Sequence, residues 1–314
     1  MEDILQIIEF SNWPDLVKEL KTNSDESKIY RGHSNNYTYE MVKIRNMYNR
    51  KVILDSWKLI SSFNRYYSRY EYLFRTYLKQ QFADGFFKSV YGKYNFKEID
   101  YLKGCSLIER LYYFQHYGVP TCLIDFTKDP LIALYFAISS VKANNGGAFD
   151  TDDNPYYHPN EPFISIFEVN YKRISELLKV KHIEKDSIIT IYDDYDMYGC
   201  HIAFDIHPVQ NCQPNLINEN LTRQKGCFIL YDNNNADLTL ERYIMGSLKK
   251  LGIKMEVLVR EYRLPYNKIF HKGILDDSKD TKLFAFLDHN NATGRTLFND
   301  IQGLKYDLNF FHNS

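Results

Sequence analysis

Paired cysteines are missing from this chain. Its five cysteines, at positions 105, 122, 200, 212 and 227, are odd in number and show no C-x-x-C spacing. A disulfide framework needs pairs, and a structural zinc site needs closely spaced ligands, so the sequence predicts neither. Unpaired thiols are typical of a reducing compartment, and we expect a cytoplasmic protein.

Long apolar runs and an excess of charge are missing as well. No apolar run reaches the ~20 residues of a membrane-spanning helix, and the acidic N-terminal residues lack the basic start of a signal peptide. The net charge of -1 over 314 residues gives no overall attraction to nucleic acid or membrane. We therefore expect no membrane partner, and the sequence leaves the oligomeric state open.

Several catalytic signatures are also missing. The chain has no H-E-x-x-H, no P-loop and no G-x-S-x-G, and its nine histidines are scattered. These absences disfavour three classes of enzyme: zinc hydrolases built on H-E-x-x-H, Walker-type NTPases, and hydrolases with a nucleophile elbow. The sequence predicts no metal site.

What is present is an irregular succession of helical and strand patterns without a linker or repeat, which indicates a single α+β domain. Helical patterns cover residues 3–9, 62–83, 106–118, 129–141, 173–180 and 293–301, with a further start at Pro14. Strand patterns cover residues 28–31, 119–126, 163–169, 187–192, 201–206, 227–231 and 255–259.

The clearest local signals lie in residues 106–141. Ser106 and Glu109 form a capping box at a helix start, and Gly118 suits the left-handed position at that helix's end. Asp129 before Pro130 predicts the start of the next helix. That helix is apolar nearly all round, so we expect it to be central and buried.

Arg31 is the first candidate site residue. It stands at the end of a predicted strand, where its planar fork of donors suits a phosphate or a carboxylate. Gly32 has no side chain, which allows a ligand to approach the backbone closely. A salt-bridged arginine at a surface strand end is the alternative interpretation.

The second candidate is the group of polar residues within 115–129. Asp125 interrupts an apolar strand, so we expect a buried carboxylate with partners. Thr127 and Asp129 precede a helix N-terminus, a position that favours an anion or ligand. His116 stands at the end of the preceding helix, where its charge also suits the helix dipole. Capping and turn formation are the alternative roles of these residues.

Two further stretches are open to more than one interpretation. Arg223 and Gln224 precede Gly226 and an apolar strand, either as a site element or as a simple loop entry. Residues 42–97 hold twelve Lys/Arg, three acids and eight tyrosines. Basic and aromatic surface binds phosphates and stacks bases, but a helix with a core-facing aromatic stripe and a solvated basic face also explains this pattern.

Together these motifs resemble the FRG domain family. Y-R-G at residues 30–32 resembles the element that names the family, and residues 57–65 resemble its W-x-L-x-x-S-x-x-R pattern. Residues 115–137 resemble its Q-H-Y-G-L-P-T-R-L-L-D-W-T stretch and the following P-L-x-A-L-Y-F-A, while residues 223–228 resemble a late R-x-Q-x-G-x-F element. Cys122 and Phe126 depart from the arginine and tryptophan that are usual in the family.

The resemblance implies an FRG-like domain over residues 28–302, with insertions near 36–55 and 144–160. An N-terminal helical segment (1–27) precedes it and a C-terminal tail (303–314) follows it. The family layout is similar, more distantly, to that of ADP-ribosyltransferases. That likeness implies a mixed, mainly antiparallel split sheet flanked by helices, and NAD as the cofactor.

The same likeness implies roles for individual residues. The implied catalytic residues are Arg31, Asp125 and Gln224; the implied NAD-binding residues are Tyr30, Gly32, His116, Tyr117, Thr121 and Thr127; the implied acceptor-binding residues are Arg65 and Arg223. The glutamate that ADP-ribosyltransferases carry at their last site strand is missing. Gly226 stands at its position, with Gln224 two residues earlier.

Three functions follow as alternatives. The first is a nucleotide-dependent transferase that moves ADP-ribose from NAD to a protein or nucleic-acid acceptor, as a toxin or antiviral defence effector. The second is a non-catalytic module that binds a nucleotide or a partner, which the missing glutamate favours. The third is a nucleotide or nucleic-acid hydrolase that uses His116 and Asp125.

Overall fold

The computed structural model describes residues 4–34, 59–67, 102, 105, 107–139, 163–179, 201–205, 219–232, 239–265, 268–269, 281–298 and 301–312. Several predicted features lie outside these residues: the strand at 187–192, most of the helix at 62–83, the insertions near 36–55 and 144–160, and Ser106.

The described elements confirm the predicted α+β class. The strands are β1 (Leu5–Glu9), β2 (Lys28–Ser34), β3 (Leu123–Thr127), β4 (Phe163–Asn170), β5 (His201–Asp205), β6 (Gly226–Asp232) and β7 (Val259–Pro265). The helices are α1 (Trp13–Asn23), α2 (Ser62–Tyr67), α3 (Leu107–His116), α4 (Pro130–Ser139), α5 (Tyr171–Leu178), α6 (Glu219–Arg223), α7 (Leu240–Lys250), α8 (Thr281–His289), α9 (Gly294–Leu297) and α10 (Ile301–His312).

The described strands form one sheet in the order β1-β7-β4-β2-β3-β6-β5. β1 and β7 are parallel, and the other neighbouring strands are antiparallel, as predicted for a mixed, mainly antiparallel sheet. β2 pairs with β4 along its whole length, whereas it pairs with β3 only at Tyr30↔Thr127. The sheet is therefore continuous, and the predicted split corresponds to this single paired position. We call the contact between β2 and β3 at Tyr30 and Thr127 the joint.

Helices cover both faces of this sheet. On one face, α1, α4 and α8 enclose a core that includes Tyr30 and Ile166. On the opposite face, α5 and α7 enclose a second core that includes Ile29 and Phe167. Because successive side chains of a strand point to opposite faces, each site residue on β2 belongs to one of these two environments.

Helix α4 is the central element, as its apolar sequence predicts. It begins at the predicted cap, where Oδ1 of Asp129 accepts a hydrogen bond from Leu131 N at 2.9 Å. Its side chains are buried except that of Phe136, which is partly buried. It packs against β2, β3 and β4, so the same helix covers the strands on both sides of the joint.

The helix predicted at residues 3–9 is wrong. Leu5–Glu9 is a strand that pairs in parallel with β7, in the register Leu5↔Val259. A helix this short is unstable by itself. Pairing with a segment about 250 residues away decides the conformation, and the spacing of a short apolar run cannot reveal such a pairing.

Two predicted strands begin too early. The strand predicted at 119–126 begins only at Leu123, because the backbone N and O of Thr121 bond to residues 62–63 instead of a neighbouring strand. The strand predicted at 255–259 begins only at Val259 and continues to Pro265. Residues 255–258 lead into it.

Three helices of the C-terminal half, α6, α7 and α8, were not predicted from the sequence. The helix predicted at 293–301 is also wrong in extent, because Phe298 is extended (φ -125°, ψ 142°) and separates α9 from α10. Helix α10 occupies most of the segment predicted as a tail, and its Gly303 lies against Gly294 of α9. No described helix combines the length and apolarity that crossing a bilayer requires.

Candidate functional site

Tyr30 lies in the core beside the joint between β2 and β3. None of its surface is exposed, and it belongs to the core on the α4 side. Burial raises the pKa of its hydroxyl, because a buried phenolate loses its hydration. The structure therefore places this predicted NAD-binding residue among packed side chains.

Gly32 lies directly under helix α4. A Cβ atom at this position would stand 1.9 Å from the carbonyl oxygen of Ala133 and 2.7 Å from the backbone nitrogen of Ala137. Helix backbone therefore fills the space that the sequence assigned to a ligand. The expectation is corrected: the missing side chain of Gly32 admits α4, and packing alone accounts for the glycine.

Arg31 lies on the opposite face and spans the gap where β2 and β3 separate. Its Nη1 donates to the backbone oxygen of Asp125 at 2.6 Å and lies 3.6 Å from the Asp125 carboxylate. Its Nε donates to Nε2 of His33 at 2.6 Å. Within the described ranges Nη2 donates no hydrogen bond, so one edge of the guanidinium is available while the other is held.

Asp125 is exposed, which corrects the expectation of a buried carboxylate. Its side chain retains 54% of its exposure, although Leu123 and Thr127, on the same face of β3, are buried. It nevertheless has the expected partners. Nε2 of Gln115 lies 3.0 Å from each carboxylate oxygen, and Arg31 is next to it. The result is an oriented carboxylate that solvent can reach.

Gln115 is itself held in place by the residues around it. Its Oε1 accepts a hydrogen bond from the hydroxyl of Thr121, so its amide nitrogen must face Asp125. Thr121 N donates to the hydroxyl of Ser62 at 3.0 Å, which ties the start of α2 to this group. Thr121, a predicted NAD-binding residue, therefore acts on the Asp125 carboxylate through Gln115.

The end of helix α3 sets the position of Gln115. Gly118 has a left-handed backbone (φ 78°), as predicted. Gly118 N donates to Gln115 O at 3.0 Å, and Val119 N donates to Phe114 O at 2.9 Å. These two bonds form a Schellman motif, which ends the helix at His116, directly after the site residue.

Thr127 and Gln224 meet on the other side of the joint. The Thr127 hydroxyl donates to Gln224 O at 2.7 Å and accepts from Asp129 N at 3.1 Å. The side chain of Gln224 donates to Leu297 O at 3.4 Å. The Lys225 ammonium pairs with Asp129 at 2.7 Å. These contacts fasten the loop before β6 to the start of α4, and Gln224 is not a partner of Arg31 or Asp125.

The remaining predicted residues lie apart from this group. His116 and Tyr117 are exposed, with their rings 5.0 Å apart, and neither contacts Arg31 or Asp125. Arg223 pairs with Glu219 at 3.8 Å on α6. Arg65 lies on α2, but its side chain and most of the basic stretch at 42–97 are outside the described part.

Sequence reasoning assigned no role to three residues that the structure adds to the site. Gln115 and Ser62 support the carboxylate, and His33 holds Arg31. Signals for all three were present in the motifs. Gln115 opens the Q-H-Y-G stretch, Ser62 is the serine of the W-x-L-x-x-S pattern, and His33 directly follows Y-R-G. We name the set of Arg31, His33, Gln115, Thr121 and Asp125 the joint site.

Comparison with known proteins identifies part of this chain. Residues 26–146 match the FRG domain family. This matched stretch contains every residue of the joint site. The stretch at 223–228 lies beyond the match. No curated protein and no solved structure matches the chain. Among the described residues, no three His, Cys, Asp or Glu side chains are grouped so that they could hold a metal ion.

Proposed function

We propose, from the premise that this chain carries an FRG domain, that the joint site binds NAD and transfers its ADP-ribosyl group to a protein or nucleic-acid acceptor. The observation that carries the proposal is the state of Arg31. Two of its nitrogens are fixed by His33 and Asp125, while Nη2 has no partner in the described part of the chain.

A guanidinium in this state is suited to a phosphate. Its donors lie in one rigid plane, so fixing Nε and Nη1 also fixes the direction of Nη2. A pyrophosphate oxygen that binds there makes a charge-assisted hydrogen bond without first ordering a flexible side chain. Arg31 is only 16% exposed, so water competes weakly for the same donors.

Asp125 supplies the carboxylate of the proposed reaction. In ADP-ribosyl transfer the bond between C1 of the ribose and the nicotinamide nitrogen breaks, and nicotinamide leaves with the electron pair. The acceptor atom bonds to the same carbon and releases a proton. Positive charge develops on the ribose between these events, and an oriented carboxylate stabilises it. The Gln115 amide and Arg31 hold Asp125 in one orientation.

A second candidate, a module that binds NAD or another nucleotide without reaction, is favoured by β6. Gly226, at the position of the glutamate of ADP-ribosyltransferases, is paired with Thr127 and has no side chain to offer. Gln224 directs its amide to Leu297 O. Asp125 is then the only carboxylate that the described contacts place beside Arg31. A hydrolase that uses His116 with Asp125 is least supported, because these two residues do not meet.

One experiment tests the proposal. The purified protein is incubated with cell lysate and NAD labelled in its adenylate phosphate, and label transfer and nicotinamide release are measured. The variants are Arg31→Met, Asp125→Asn and Arg173→Met. Arg173 is the matched control, since it pairs with Glu256 at 2.5 Å on the outside of α5.

We expect activity in the wild type and in Arg173→Met, and its loss in the two site variants. If NAD binds but nicotinamide is not released, the result supports the second candidate, a binding module without reaction, and rejects the transferase. If NAD is neither bound nor consumed, both are overturned. An acceptor that is a toxin target or a component of phage replication would connect the transfer to a defence role.

A further inference from the structure

His33 lies beside Arg31 on the same sheet face, and no role was predicted for it from the sequence. The two side chains are two residues apart on β2 and therefore neighbours on that face. Nε2 of His33 is 2.6 Å from Nε of Arg31. The His33 ring stands edge-on to Phe167 of β4, with ring centres 5.2 Å apart.

This contact fixes the chemical state of the histidine. A guanidinium has donors only and keeps its charge at every physiological pH. Nε2 of His33 must therefore be the acceptor of the bond, which requires a neutral ring with its proton on Nδ1. A protonated ring has no acceptor, and its charge would stand directly against that of Arg31.

We propose that His33 is the positioning residue of Arg31: its neutral ring holds the guanidinium against Asp125, and protonation of the ring releases it. The proposal rests on the proposed function for its effect on NAD. Affinity for NAD is then highest above the pKa of His33 and falls as the pH falls through it, because only the neutral ring prepares Arg31 for the pyrophosphate.

Arg31 is a direct charged contact of His33. On β3, the Asp125 carboxylate lies 3.6 Å from Arg31. On β4, the residue opposite His33 is Ser165, which is uncharged. On β7, Glu261 is engaged by the Ser165 hydroxyl at 2.8 Å and by Arg263 at 3.0 Å. Protonation of His33 therefore places a second positive charge next to that of Arg31.

The first test reads the proton directly and needs no ligand. Nitrogen NMR of histidine-labelled protein distinguishes the two neutral tautomers, and His33→Gln assigns the His33 signals. We expect the Nδ1-H form at pH 7.5 in the wild type, and a shift toward the Nε2-H form in Arg31→Met. The proposal is overturned if the neutral wild-type ring carries its proton on Nε2. It is also overturned if Arg31→Met leaves the tautomer of His33 unchanged.

The second test measures NAD affinity against pH in the wild type, His33→Gln and His289→Gln. The glutamine oxygen can accept from Arg31 but does not titrate. Because a single proton separates the two states of the ring, wild-type affinity falls from pH 7.5 to pH 5.5, by at most about tenfold per pH unit. His289, exposed at the end of α8, provides a control that should keep this profile.

We expect a flat profile in His33→Gln over the same range. The same fall in wild type and His33→Gln, or a wild-type affinity that rises as the pH falls, contradicts the positioning role. A wild type that binds no NAD at any pH overturns the proposed function alone, because the NMR test still decides the state of His33.

Discussion

The two faces of strand β2 differ in what holds them. On one face, Gly32 contacts the backbone of α4 and Tyr30 is fully buried. On the other, the Arg31 side chain is hydrogen-bonded to His33 and to Asp125, and it forms an ion pair with Asp125. The contact of Gly32 with helix backbone leaves no room for a larger residue, whereas the side-chain bonds of Arg31 can be exchanged for bonds to a ligand. We infer that one face of the tripeptide determines the fold, and the other carries the residue on which the proposed function depends.

Substitution of Gly32 should have the largest effect on the stability of the protein. We expect Gly32→Ala to lose about 3 kcal/mol or more of its free energy of unfolding, since the new methyl group overlaps the Ala133 carbonyl and the helix must move. Urea denaturation measures the loss. Gly246→Ala in α7 is the matched control, because a Cβ there meets nothing within 4 Å. It should stabilise the protein by up to about 1 kcal/mol. Equal effects of the two substitutions would refute the packing role.

Asp125→Asn should have the largest effect on activity. If its carboxylate stabilises charge at the ribose, nicotinamide release falls by about 10²–10³, while NAD affinity and the unfolding midpoint change little. Single-turnover measurement at saturating NAD isolates this effect. An unchanged rate of release would move the catalytic role to another residue.

Arg31→Met should mainly weaken binding. Loss of a charge-assisted contact to the pyrophosphate lowers NAD affinity by about 10- to 150-fold. The ion pair with Asp125 is partly exposed, so its removal costs at most about 1 kcal/mol of stability. Calorimetry of NAD binding, with thermal unfolding alongside, separates the two quantities. A collapse of the fold in this variant would place Arg31 with Gly32 as a structural residue.

Arg223→Ala should have the smallest effect. Its contact with Glu219 is an exposed pair within one helix, worth about 0.3–0.5 kcal/mol. We expect unchanged NAD affinity and unchanged stability within that range. Modification of the acceptor is the informative measurement. A fall in that rate alone would support the acceptor-binding role predicted for Arg223, and no change would remove it.

Local chemistry explains what could be predicted. Gly118 at the end of α3 and Asp129 at the start of α4 were found because caps depend on a few consecutive residues. That Arg31 and Asp125 belong to one site was implied only by motif resemblance, and their contact was not predicted. The sequence carries both residues 94 positions apart, without any sign that they meet.

Distant pairing explains what could not be predicted. β1 was mistaken for a helix because its partner is β7, at the far end of the chain. The exposure of Asp125 depends on how β2 and β3 separate after Tyr30↔Thr127, and alternation within β3 alone does not show which face is covered. The role of Gly32 depends on α4, which follows it by about one hundred residues.

The contact between Gly32 and α4 also has a genetic consequence. The obstructing atoms are main-chain atoms of residues 133 and 137, and no substitution at those positions removes them. A second-site suppressor of a Gly32 variant is therefore not expected within α4. In a variant library scored separately for protein abundance and for activity, substitutions at position 32 will disappear from the abundant fraction. Substitutions at position 31 will remain abundant and be lost only from the active fraction.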